Sequence, residues 1–107
     1  MLYFNILHIY FYKSKEFFQI MRYRTKNDII AKIIEVAKER AVTKTRIAYD
    51  CFLSYDLLNE YLKTLTMSDL LKFNKRDKTY IATKRGLRYL DLYEILIKYL
   101  STGANSV

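Results

Sequence analysis

Three groups of cations lie far apart along the 107-residue chain: Arg22, Arg24 and Lys26; Lys44 and Arg46; and Lys75, Arg76 and Lys78. Grouped lysines and arginines suit phosphate oxygens, as diffuse charge and as charge-assisted hydrogen-bond donors. Between the second and third groups lie Ser54, Tyr55, Asn59 and Lys63. An asparagine can pair with an adenine edge, and a lysine beside it can reach a phosphate. The chemistry is that of a polyanion binder. Nineteen basic against eleven acidic side chains, a formal net charge of +8, agree with it, although charge alone does not choose between nucleic acid and an anionic membrane. Catalytic chemistry finds no comparable set. The one histidine, His8, lies in an apolar segment and reads as structural, and the carboxylates are scattered. No glycine-rich phosphate loop is present. The single cysteine, Cys51, excludes an internal disulfide framework and a cysteine-based zinc site within one chain. Its apolar neighbours make it a small core residue. No enzyme activity, cofactor, metal or small-molecule substrate is expected.

For the cations to act together, the fold must bring them to one surface. Proline is absent and there are only two glycines, which favours helices over a turn-rich β architecture. Thr25 with Asp28 resembles a capping box, and Ile29, Ile30, Ile33, Ile34 and Ala37 recur at helical spacing. These predict a helix over Lys26–Arg40. Thr43 can cap a second helix, Lys44–Asp50, with Ile47 and Ala48 inward. Phe52 and Leu53 form an apolar turn, and Ser54 caps a third helix, Tyr55–Thr66, packed through Leu58, Tyr61, Leu62 and Leu65. The stretch Thr43–Leu65 is thus a helix-turn-helix. Two β-compatible runs follow, Leu70–Asn74 and Thr79–Thr83, with Lys75–Lys78 as a basic hairpin tip and Asp77 serving the turn. Thr83 caps a last helix, Lys84–Leu100, whose apolar residues cover more than one face.

The fold class is therefore mainly α with a small β-hairpin: a winged helix-turn-helix with a long terminal helix. The expected organisation is an apolar segment over 1–21, the winged helix over 22–83, a dimerisation helix over 84–100 and a frayed tail over 101–107. Leu2–Tyr12 is too short and too interrupted, by Asn5 and His8, to span a bilayer, which takes about 20 apolar residues. It also lacks the preceding basic region of a secretory signal. Residues 1–20 either pack on the body or a second subunit, or precede a biological start at Met21.

Three blocks carry a family resemblance: TKTRIAY, the Leu53-Ser54-Tyr55 turn, and Thr83-Lys84-Arg85-Gly86 opening the last helix. With them, residues 22–100 resemble the small archaeal winged-helix DNA-binding proteins, the dimeric chromatin-type proteins of Sulfolobus-like archaea. The resemblance implies a homodimer joined by an antiparallel coiled coil of terminal helices, with a winged helix at each end. It implies duplex DNA binding with little sequence preference and a part in chromatin organisation, in the cytoplasm on the nucleoid. Leu90, Tyr93, Leu96, Ile97 and Leu100 are the expected dimer contacts. A helix ending near Leu100 would make only a small coiled coil, which the apolar leader could supplement.

The expected DNA-binding set is Arg24, Lys26, Lys44, Arg46, Ser54, Tyr55, Asn59, Lys63, Lys75, Arg76 and Lys78. The third helix would enter the major groove, yet Asp56 and Glu60 share its outward face and would be repelled by phosphates. Ser54 also has the plainer role of helix cap. Lys84, Arg85 and Arg88 oppose the dipole of the last helix, which pairing with Asp91 or another nearby acid, or an external anion, would relieve. Two other functions fit the same fold: a gene-specific transcription regulator, and a module that docks another protein through its acidic third helix.

Overall fold

A computed structural model describes residues 24–105, with side chains to residue 100. The expectations for the leader 1–21, for His8 and for Arg22 lie outside the described residues. Helix α1 (Lys26–Val36) begins with the capping box: the Asp28 amide donates to Thr25 Oγ1 (3.1 Å), and the Thr25 amide donates to the Asp28 carboxylate (2.9 Å). The helix ends at Val36 rather than Arg40. The Ala37 amide is shared between the Ile33 and Ile34 carbonyls, and the Ala37 carbonyl accepts from the Ala82 amide at 2.9 Å. Ala37 thus turns from helix to sheet, and Lys38–Arg40 become an exposed bend.

A short strand missing from the sequence reading follows, β1 (Val42–Thr43). Thr43 then caps α2 (Lys44–Cys51), accepting from the Arg46 amide at 3.2 Å. Phe52 takes a left-handed conformation (φ 55°), and the Leu53 amide returns to the Ala48 carbonyl at 3.0 Å, which closes α2 and starts the turn. Ser54 caps α3 (Tyr55–Met67). Strands β2 (Leu71–Asn74) and β3 (Thr79–Ala82) form the expected hairpin. Since β1 pairs with the other edge of β3, the sheet has three antiparallel strands in the order β1-β3-β2.

The helix-turn-helix is fixed by a core of Ile33, Ile47, Cys51, Leu58, Leu62 and Leu65, with Leu71 closing it from the sheet. Burial pushes the Cys51 thiol up to about 12, as expected of a core residue rather than a reactive one. Arg24 is spent on the same framework. Its guanidinium donates to the Cys51 carbonyl (2.6 Å) and the Phe52 carbonyl (3.3 Å). A cation is favoured there, at the negative end of α2.

Helix α4 (Lys84–Asn105) runs past the expected end near Leu100, into the stretch read as a frayed tail. Thr83 caps it by accepting from the Gly86 amide at 2.9 Å, while its own hydroxyl donates to the Asp69 carbonyl at 2.6 Å. Arg85 donates to the Ser68 carbonyl (3.1 Å) at the end of α3, rather than to Asp91. Two of the expected dimer contacts are engaged within the domain. Leu90, only 4% exposed, packs on Ala31 and Ile34 of α1 within its own domain. Tyr93 packs against the same cluster, with its hydroxyl donating to the Asp28 carboxylate. Tyr89 makes the parallel contact to Asn27 at 3.1 Å.

Gly86 is required by close approach: a Cβ there would sit 2.2 Å from the Leu70 carbonyl oxygen. Gly86→Ala should therefore lower stability by about 2 kcal/mol in urea denaturation, because the overpacking outweighs the helix-propensity gain of about 1 kcal/mol. An unchanged or raised midpoint would contradict this contact.

The α1–α4 contact has a pH signature. Burial pushes the Asp28 carboxyl up, but hydrogen bonds from Tyr93 and Thr25, helped by the Arg24 charge, hold it below its ordinary value. Burial and the bond to Asp28 push the Tyr93 hydroxyl up to about 12. The Asp28 contribution is full above the ordinary carboxylate pKa and is lost as pH falls through the depressed one. The Tyr93 contribution is full below the ordinary tyrosine pKa, about 10, and is lost as pH rises through the raised one. In Tyr93→Phe, NMR titration should find the Asp28 carboxyl moved up, with the alkaline loss of stability reduced.

Candidate nucleic-acid interface

Two of the three cation groups meet. A cleft of about 490 Å³ separates the start of α2 from the β2–β3 wing and is lined by Lys44, Lys75 and Lys78, with Asp77 as its one carboxylate. The sheet register sets this meeting: Thr43, the cap of α2, pairs with Thr79, the residue that leaves the wing tip. The tip is organised mainly by Asn74, whose Oδ1 accepts from the Arg76 amide (3.0 Å) and the Asp77 amide (3.3 Å). Asp77 adds an exposed contact to Asn74 Nδ2 at 3.3 Å. Lys78 closes the turn in a left-handed conformation (φ 55°). With the backbone so constrained, the Lys75, Arg76 and Lys78 side chains are all exposed.

The opposite wall joins α2 to α3. Lys44 Nζ lies 5.3 Å from the centre of the Tyr55 ring, and the Tyr55 hydroxyl bonds to Thr45. The ring both supports the cation and aligns the two helix starts. The α2 N-terminus adds amides oriented toward an anion. Arg46 is turned aside to an ion pair with the buried Asp50, Nε to Oδ2 at 2.7 Å.

The first cation group does not line the cleft. Arg24 is bound at the far end of α2, and Lys26 is exposed at the start of α1. Ser54 acts as the cap of α3. Asn59 and Lys63 are exposed on α3, as are Asp56 and Glu60, so two carboxylates face one cation there.

Thr45, Phe73 and Tyr80 were missed as cleft residues. The signal was in the strand alternation, which puts Phe73 on the inward side with Leu71, and Tyr80 with Ala82. Among the described residues no group of acids, histidines and cysteines could hold a metal, and no helix is long and apolar enough to cross a membrane.

No curated protein matches the chain. Among solved structures, it is similar to the crystal structure of Sso10a-2, a DNA-binding protein from Sulfolobus solfataricus. The two are 21% identical with a TM-score of 0.70, over 78% of this chain and 88% of that one. At that identity the likeness is one of fold. A family model described as winged helix-turn-helix matches residues 23–101, a span holding the three-helix core, the wing and nearly all of α4. By that match and by its own architecture, this chain belongs to the winged helix-turn-helix family.

Proposed function

We propose that the chain binds duplex DNA with weak sequence preference, as a homodimer paired through α4, and helps to organise the chromosome in the cytoplasm. The observation that carries this is the convergence of Lys44, Lys75 and Lys78 on one cleft beside the helix-turn-helix. Cations on a wing and a helix start track a phosphate backbone without reading bases. The weak preference follows from α3, where Asp56 and Glu60 flank Asn59 and offset Lys63. The relative described as DNA-binding shares this fold, which supports the reading.

The proposed pairing rests on α4. Leu92, Ile95, Leu96 and Tyr99, each more than half exposed, recur at i, i+3, i+4 and i+7 on the side opposite Leu90. Leu100 flanks that stripe and is also exposed, whereas Ile97, seven residues after Leu90, falls on the Leu90 side of the helix. A second reading, docking of a protein partner on α3, is favoured by the exposed Leu57 and Met67 on the helix that carries Asp56 and Glu60.

Fluorescence anisotropy with random-sequence duplex separates the two. On the DNA reading, log affinity falls with log salt at a slope of about −0.9 per phosphate neutralised, or about −3 to −4 for Lys44, Lys75, Arg76 and Lys78 of one protomer. Replacing Lys75, Arg76 and Lys78 with alanine should weaken binding on every sequence and flatten the slope by about 3. Absence of binding by the wild type at micromolar concentration would favour the protein-docking reading. Even footprinting of varied DNA supports the architectural role, whereas one site protected at low occupancy supports a gene-specific regulator.

A further inference from the structure

The floor of the cleft is aromatic. Phe73 on β2 and Tyr80 on β3 are cross-strand partners with ring centres 4.8 Å apart and planes tilted by 40°. Both line the cleft with the three lysines. They lie on the inward side of the sheet, the side that Leu71 closes over the core, but farther toward the wing tip, where Phe73 remains 43% exposed. Phosphate tracking along a duplex needs only the cations. It leaves unused an exposed aromatic face at the bottom of a basic cleft.

We propose that this cleft also holds single-stranded DNA, with an unpaired base stacked on Phe73 against Tyr80 and the flanking phosphates on Lys44, Lys75 and Lys78. This rests on the nucleic-acid reading of the same basic surface and adds a substrate class to it. A base inside a duplex has both ring faces covered by its neighbours, whereas an unpaired one can offer a face to Phe73. Binding of single strands combines such a stacking platform with a positive groove for the backbone. The cleft's volume of about 490 Å³ falls within the range of small-ligand sites, about 300–1,000 Å³. Asp77 lies on its rim but makes a hydrogen bond to Asn74 at the wing tip, while the three cations outnumber it.

The test uses the full chain and three fluorescein-labelled probes of equal length: oligo(dT), an abasic strand of the same charge, and a random duplex. Wild type should bind oligo(dT) about tenfold more tightly than the abasic strand. Phe73→Leu, which keeps the strand apolar, should erase that difference while leaving duplex affinity within about twofold. Duplex binding with equal affinity for oligo(dT) and the abasic strand overturns this inference alone. So does a Phe73→Leu variant with the same melting temperature as wild type that loses duplex and single-strand affinity equally. If Phe73→Leu does not fold, the wild-type comparison of oligo(dT) with the abasic strand decides. Failure to bind any of the three probes overturns the nucleic-acid reading itself.

Discussion

The pairing of a two-residue strand with the base of the wing is the constraint on which the rest of the cleft depends. Val42 faces Tyr80 and Thr43 faces Thr79, so the segment entering α2 runs one strand spacing, about 4.8 Å, from the segment leaving the wing tip. Thr43 is at once the last residue of that strand and the cap of α2. Lys44 must therefore emerge beside the wing, whatever the rest of the hairpin does. The same central strand is anchored to α1, because the Ala82 amide donates to the Ala37 carbonyl. Helix α1, helix α2 and the wing are thus locked to one strand of four residues, and the two groups of cations inherit their spacing from it.

That lock also explains what was legible in the residues. Caps are local signals, and all four were readable: Thr25 with Asp28, then Thr43, Ser54 and Thr83. The hairpin was legible from its alternation and its polar tip. Strand β1 was not, since two residues show no period and Thr43 already had an evident role as a cap. The end of α1 failed for a related reason. Lys38–Arg40 could continue the exposed face of a helix, but the Ala37 carbonyl is claimed by a strand more than forty residues away. Arg24 looked like a surface cation because nothing local reveals that the carbonyls of Cys51 and Phe52 lie within its reach.

Helix α4 presented a different ambiguity. Its apolar residues mark two faces, and periodicity cannot say which one belongs to the helix's own domain. The answer comes from Gly86. With no Cβ, it lets the first turn of α4 settle against the Leu70 carbonyl, and from that start Leu90 falls onto Ala31 and Ile34, with Tyr89 and Tyr93 reaching Asn27 and Asp28. The expected dimer set therefore drew from both sides. Leu90 and Tyr93 belong to the inner side, whereas Leu96 shares the outer side with Leu92, Ile95 and Tyr99.

The strength of a dimer built on that outer stripe can be bounded. Burying a whole large apolar side chain contributes about 1.5–3 kcal/mol. The four stripe residues are 55–79% exposed, so each retains roughly 1–2 kcal/mol to gain. In a two-fold interface every residue counts twice, which puts the apolar gain at roughly 8–16 kcal/mol for the pair of helices. Association costs about 4–15 kcal/mol in lost rigid-body freedom before any side chain is ordered. The stripe alone thus brings pairing close to balance, and the exposed flanking residue Leu100 tips it only modestly toward association. Pairing of this kind is reversible and concentration-dependent. If the proposed function holds, bound DNA would become part of the assembly, because two protomers on one duplex raise each other's local concentration, and pairing would be more complete there than in free solution.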